Sequence, residues 1–148
     1  MPKKTVETFF KEEEKEAIVE AIKKAELKTS GEIRVHIESK CKGSELARAA
    51  QVFKILGMHK TKQRNGVLIY LAFSDRKFAI IGDAGINKVV PEDFWEEIKE
   101  TMINRFARRK FGKGIVAAIE IAGEKLAKFF PYQSDDVNEL PDEISFGA

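Results

Sequence analysis

The sequence predicts a layered α/β domain built around a small mixed sheet. Three observations carry this: strict alternation over residues 32–39, an apolar hairpin over residues 65–82, and helical apolar spacing around both. The chain is 148 residues long, the size of one ordinary domain. It is 43% hydrophobic and 34% charged, which suits a packed core rather than a disordered chain.

The first helix is marked by Phe10, Ala17, Ile18, Ala21, Ile22 and Ala25 on one face, with Lys and Glu on the others. Acidic residues crowd its first turn, where they complement the helix dipole. Thr29, Ser30 and Gly31 end it. In the strand that follows, Ile33, Val35 and Ile37 point one way and Glu32, Arg34, His36 and Glu38 the other, so one face lies in the main core. Ser44 then N-caps a helix whose apolar face is Leu46, Ala49, Ala50, Phe53 and Leu56, stopped by Gly57.

The polar stretch Met58 to Asn65 reads as a loop. Val67 to Phe73 is apolar at every position, the mark of a strand covered on both faces. The link Ser74, Asp75 and Arg76 is short enough only for an antiparallel hairpin into Lys77–Ile81. The preceding strand–helix–strand unit requires a parallel, right-handed crossover. These constraints place the Val67 strand centrally and the Glu32 strand at an edge. Gly82 to Gly85 reads as a loop, and Pro91 as the first turn of a helix whose apolar face is Phe94, Trp95, Ile98, Met102 and Phe106. Phe111 to Gly114 reads as a tight break before a last helix, Ile115 to Phe130, which Pro131 terminates.

Residues 1–132 are expected to form the domain and 133–148 an acidic, solvated tail. That tail carries Asp135, Asp136, Glu139, Asp142 and Glu143 without a lysine or arginine, which leaves 26 basic groups against 19 acidic ones in the body. Val137, Leu140, Ile144 and Phe146 punctuate the tail, so it could dock on a partner. The basic helix end, Arg105, Arg108, Arg109 and Lys110, is a candidate surface for an anion or a protein partner. No exposed aromatics interleave with it and no DNA-binding motif is legible, which disfavours nucleic acid. The longest apolar run is far short of the roughly 20 residues that cross a bilayer, so membrane insertion is not expected. The absence of a charged-then-apolar leader, together with a single cysteine, points to the cytoplasm.

Most familiar chemistry is excluded by spacing. Gly82 to Gly85 lacks a dinucleotide fingerprint, and Gly112 to Gly114 lacks the Walker pattern. One cysteine and two histidines are too few for a zinc cage. Two sets of residues remain. Strand directions bring Asp83 toward Glu32, with Asn87, Glu92 and Asp93 nearby, an oxygen-rich set suited to Ca²⁺ or Mg²⁺. At the other end of the sheet, Asp75 could attack a phosphoryl group while Arg76 clamps its oxygens.

The order of motifs is a Ser-Gly-Glu-Ile-Arg-Val strand and a Leu-Ala helix ending in Leu-Gly. Asn-Gly-Val-Leu-Ile-Tyr-Leu, Asp-Arg-Lys-Phe-Ala-Ile, a glycine loop and Arg-Phe before Gly-Ile-Val-Ala-Ala-Ile follow. This resembles the TPM domain over roughly residues 9–130, in particular its stand-alone bacterial members. The resemblance implies an α/β/α sandwich and, from plant members, divalent-cation binding and acid-phosphatase activity. The glycine loop departs from the commoner pattern of the family, reading Gly-Asp-Ala-Gly-Ile-Asn. Together these readings give a cation-binding domain that serves as an interaction or assembly module, with a cation-dependent phosphatase as the alternative.

Overall fold

The computed structural model describes residues 5–133 and 139–147. The elements are α1 (Glu12–Glu26), β1 (Glu32–Glu38), α2 (Glu45–Ile55), a short 3-10 turn (Met58–Lys60), β2 (Gly66–Ala72) and β3 (Lys77–Gly82). After these come α3 (Ala84–Asn87), α4 (Glu96–Ala107), α5 (Phe111–Ala127) and β4 (Ser145–Phe146). The sheet order is β3-β2-β1-β4. β1 runs parallel to β2, while β2 and β3 form the antiparallel hairpin. The architecture is the expected α/β/α sandwich.

β2 and β3 divide their side chains between two cores, while the apolar residues of β1 all enter the larger one. Ile33, Val35, Ile37, Val67, Ile69, Leu71 and Ile80 face α1, α4 and α5 in the larger core. Leu68, Tyr70, Ala72 and Ala79 face α2 in the smaller one, which also takes in Cys41, Met58 and Leu140. All seven residues of β2 are buried, as its unbroken apolar run requires. Ser44 caps α2 by accepting the Ala47 N–H at 3.2 Å.

Several boundaries differ from the expectation. β1 is not an edge strand, because Ser145 and Phe146 pair with His36 and Ile37 in a parallel extension. Two residues of pairing are too few to leave an alternation in the sequence. Of the apolar tail positions, Leu140 is buried and Val137 lies outside the described residues. The α2 apolar face is rotated toward Ala49, Val52 and Phe53, leaving Leu46 exposed. Pro91 precedes a turn and α4 begins only at Glu96. The loop after β3 contains the single turn α3, which Asp83 caps. Phe111 to Gly114 is the first turn of α5 rather than a break. A β-carbon at Gly114 would stand 2.7 Å from the Phe106 ring, so the glycine lets α5 close onto α4.

A buried carboxylate ties the second layer to the sheet. Glu38, at the end of β1, receives Nε and Nη2 of Arg48 from α2, each at 2.9 Å. The Tyr70 hydroxyl of β2 donates to its Oε2, and His36 Nε2 lies 3.1 Å from its Oε1. Burial alone would raise the Glu38 pKa, but these donors outweigh it and hold the group down at about 2. Burial lowers the His36 pKa, so the ring is neutral at pH 7. It then donates from Nε2 to Glu38 and accepts the Ser145 hydroxyl at Nδ1, 2.8 Å away. This second bond secures β4.

A folded-state pKa below the ordinary carboxylate value gives stability that is complete above about pH 4.5 and lost as pH falls toward 2. Tyr70→Phe removes one donor to a charged group and should cost about 2 kcal/mol in chemical denaturation at pH 7. The acid limb of the stability–pH curve should also move to higher pH. An unchanged acid limb would show that Tyr70 does not hold the Glu38 charge.

Candidate functional site

The sequence places Glu32 and Asp83 in one site, but the structure gives each its own partner. Asp83 is N-cap to α3, accepting the Ala84 N–H at 2.7 Å, and its two oxygens take Nε and Nη2 of Arg64 at 2.7 and 2.8 Å. Arg64 has a left-handed backbone, φ 52°, which turns its side chain back over the loop. Asn87 bridges the Gly82 carbonyl and the Trp95 indole N–H, while Glu92 and Asp93 are exposed before α4. Gly66 of β2 pairs with Glu32 on one side and, through its carbonyl, with the Asp83 N–H on the other. Two strand spacings, roughly 10 Å, therefore separate the two backbones.

Glu32 is instead joined by carboxylates that the sequence reading did not include. Its Oε1 accepts the Glu139 N–H at 2.6 Å, and the Leu140 N–H also donates to it. Glu26, at the last turn of α1, shares a side-chain hydrogen bond with Asp142. Burial, reinforced by that bond and by the charges of Asp142 and Glu32, raises the Glu26 pKa to about 9. Burial also raises that of Glu32, to about 7, against the opposing pull of the Glu139 N–H. Two carboxyl groups that bond to each other must share a proton, so this corner is protonated near neutrality. One residue further on, Glu143 favours the charge of Arg34, whose pKa burial lowers.

The set arises because residues 139–147 run alongside β1. Glu139 meets Glu32, Ser145 meets His36, and the Gly147 N–H bonds the Ile37 carbonyl at 2.8 Å. Glu139 Oε2 also accepts the Lys62 N–H at 3.1 Å, which fixes the start of the segment. Among the described residues, no three His, Cys, Asp or Glu side chains form a ready metal cage. The carboxylates are gathered but joined through protons, and a cation would have to displace those protons.

The opposite end of the sheet holds the other predicted residues. Asp75 Oδ2 accepts the Cys41 N–H at 2.7 Å, which commits it to the loop after β1. Arg76 lines an aromatic pocket together with Arg109. The structure thus joins one residue of the proposed phosphate clamp to one of the basic helix end. Arg105 lines a separate recess beside Glu13 and Glu14, and Arg108 and Lys110 are exposed. No described helix is long and apolar enough to cross a membrane.

Comparison with known proteins agrees with this architecture. The BA42 protein of the psychrophilic bacterium Bizionia argentinensis, known from its NMR structure, superposes with a TM-score of 0.91. It is 48% identical, over 97% of this chain and 99% of that one. The N-terminal domain of the cg2496 protein of Corynebacterium glutamicum has the same fold, with a TM-score of 0.64 at 14% identity, over 95% of this chain and 81% of that one. No curated protein matches. The family model of the TPM domain matches residues 5–125, and the chain belongs to the TPM domain family.

Proposed function

We propose that this TPM domain binds a divalent cation through the carboxylates gathered under residues 139–147, and that the segment so secured serves as an interaction or assembly element. The observation that carries the reading is the Glu26–Asp142 carboxyl pair beside Glu32, a corner whose negative charge is held off only by protons. Carboxylate and backbone oxygens are hard ligands, and ligands that must shed protons make binding pH-dependent. Ca²⁺ suits the corner better than Mg²⁺, because it tolerates irregular oxygen sets while Mg²⁺ demands a near-octahedral one. The phosphatase alternative draws less support, since Asp75 is already engaged by the Cys41 N–H.

Titration with CaCl2, followed by two-dimensional NMR, should move the amides of residues 26, 32 and 139–143 and raise Tm, since only the folded state holds the site. MgCl2 should act more weakly. No shift at millimolar Ca²⁺, or shifts confined to residues 83–93, would overturn the assignment.

The pH dependence has a definite sign. Without a cation, the folded chain keeps the Glu26 proton up to about pH 9, whereas the unfolded chain releases it near the ordinary value of 4.5. The folded state then binds more protons, so the Glu26 contribution to stability falls as pH rises through this window. Glu26→Gln should flatten that decline and raise Tm at pH 9. The same variant should weaken Ca²⁺ binding about tenfold or more by removing a charged ligand. Calorimetry in buffers of different ionisation enthalpy should show proton release on Ca²⁺ binding near pH 7 to 8.

A further inference from the structure

The apolar pocket at the hairpin end of the sheet has a volume of about 430 Å³, within the range of small-ligand sites. Aromatic rings from five separate chain segments build it. Phe9 stacks on Phe73 at 4.1 Å and meets Phe111 edge-on at 5.3 Å. Phe106 contacts Phe111 at 5.4 Å and Phe78 at 5.1 Å. Ile103, 56% exposed, extends the apolar wall outward.

Two arginines complete the lining, Arg76 from the β2–β3 turn and Arg109 from the turn after α4. Neither has a carboxylate within ion-pair distance among the described residues. Glu14 shares a smaller recess of about 290 Å³ with Arg109, and its Oε1 is held by the Lys11 N–H.

The backbone at both arginines is left-handed, φ 53° and 59°. Arg109 occupies the position after the α4 cap in a Schellman motif: its N–H bonds the Phe106 carbonyl, and that of Lys110 bonds the Arg105 carbonyl, both at 2.9 Å. Glycine or asparagine ordinarily fills such a position, because a β-carbon strains it. Arg76 closes the hairpin turn under the same constraint. At both turns the chain thus carries a long cation where local stability favours glycine, and both cations flank one aromatic pocket.

The geometry points to a binding site for a small amphipathic organic anion, whose apolar body packs on the phenylalanines while Arg76 and Arg109 hold a carboxylate or phosphate head. Two forked guanidiniums suit either head by charge-assisted hydrogen bonds, and the aromatic lining excludes a bare inorganic ion as the preferred ligand. The site lies a β-strand's length from the Glu32 corner, so it stands independently of cation binding there.

Calorimetry and NMR titration of the full chain with 4-phenylbutyrate, 4-phenylbutyl phosphate and neutral 4-phenylbutanol test this. At least one anion should bind saturably, shift the amides of Phe73, Arg76, Arg109 and Phe111, and bind tenfold or more tighter than the alcohol. Whichever anion binds more tightly identifies the preferred head group. Arg76→Gly with Arg109→Gly should retain or raise Tm, since glycine relieves both backbones, yet lose tenfold or more in anion affinity. Equal binding of the alcohol, no saturable binding of either anion, or full affinity in the double variant would overturn the site. A lower Tm in that variant would overturn the claim that the arginines are kept against local stability.

Discussion

A carboxylate removed from water loses several kcal/mol of hydration unless other groups replace it. Glu38 is such a group, and its replacements come from three different elements: Arg48 on α2, Tyr70 on β2 and His36 on β1 itself. Meeting that demand fixes where α2 crosses the sheet. Burial, against the opposing pull of Glu38, keeps His36 neutral; with Nε2 turned to Glu38, Nδ1 is left to accept Ser145, which fixes β4 in register. Once Ser145 is placed, the residues leading to it have a defined path. That path sets Glu139 against Glu32 and Asp142 against Glu26. The acidic corner is thus a downstream consequence of a buried charge at the other end of the same strand.

Periodicity alone revealed the sheet where it is long. The unbroken apolar run of β2 identifies the central strand, and the alternation of β1 correctly separates Ile33, Val35 and Ile37 from their polar neighbours. The same alternation misleads about the second face. Glu32, His36 and Glu38 look like a wet surface in sequence, yet all three are buried, because α2 and residues 139–147 cover them. Pairing between residues more than a hundred positions apart leaves no local periodicity, and Glu26 is one glutamate among many on α1. Of the carboxylates that meet at this corner, only Glu32 was singled out from the sequence. Nothing in the sequence reveals that Arg64 adopts a left-handed backbone and folds onto Asp83.

The two ends of the sheet carry opposite chemistry on one scaffold. At the start of β1 and the end of α1, carboxylates meet with too few cations and settle for protons. At the hairpin end, two guanidiniums stand beside phenylalanines without a counter-ion among the described residues. Each arrangement conflicts with local stability, one through like charges and the other through backbone strain. Such departures from local consistency are where function is expected to reside.

The short strand β4 has a further consequence for solubility. An open strand edge offers unsatisfied N–H and C=O groups to any other chain, and proteins guard such edges. Here the guard is residues 139–147, which give β1 only two paired positions and cover the rest with loop contacts. If this segment lifted away, a seven-residue strand would be bared as a template for strand addition by a second molecule. A cation that pinned Glu139 and Asp142 to α1 and β1 would keep that template closed. Its loss would turn this flank into an adhesive one, so ionic conditions and self-assembly would be linked through a single strand edge.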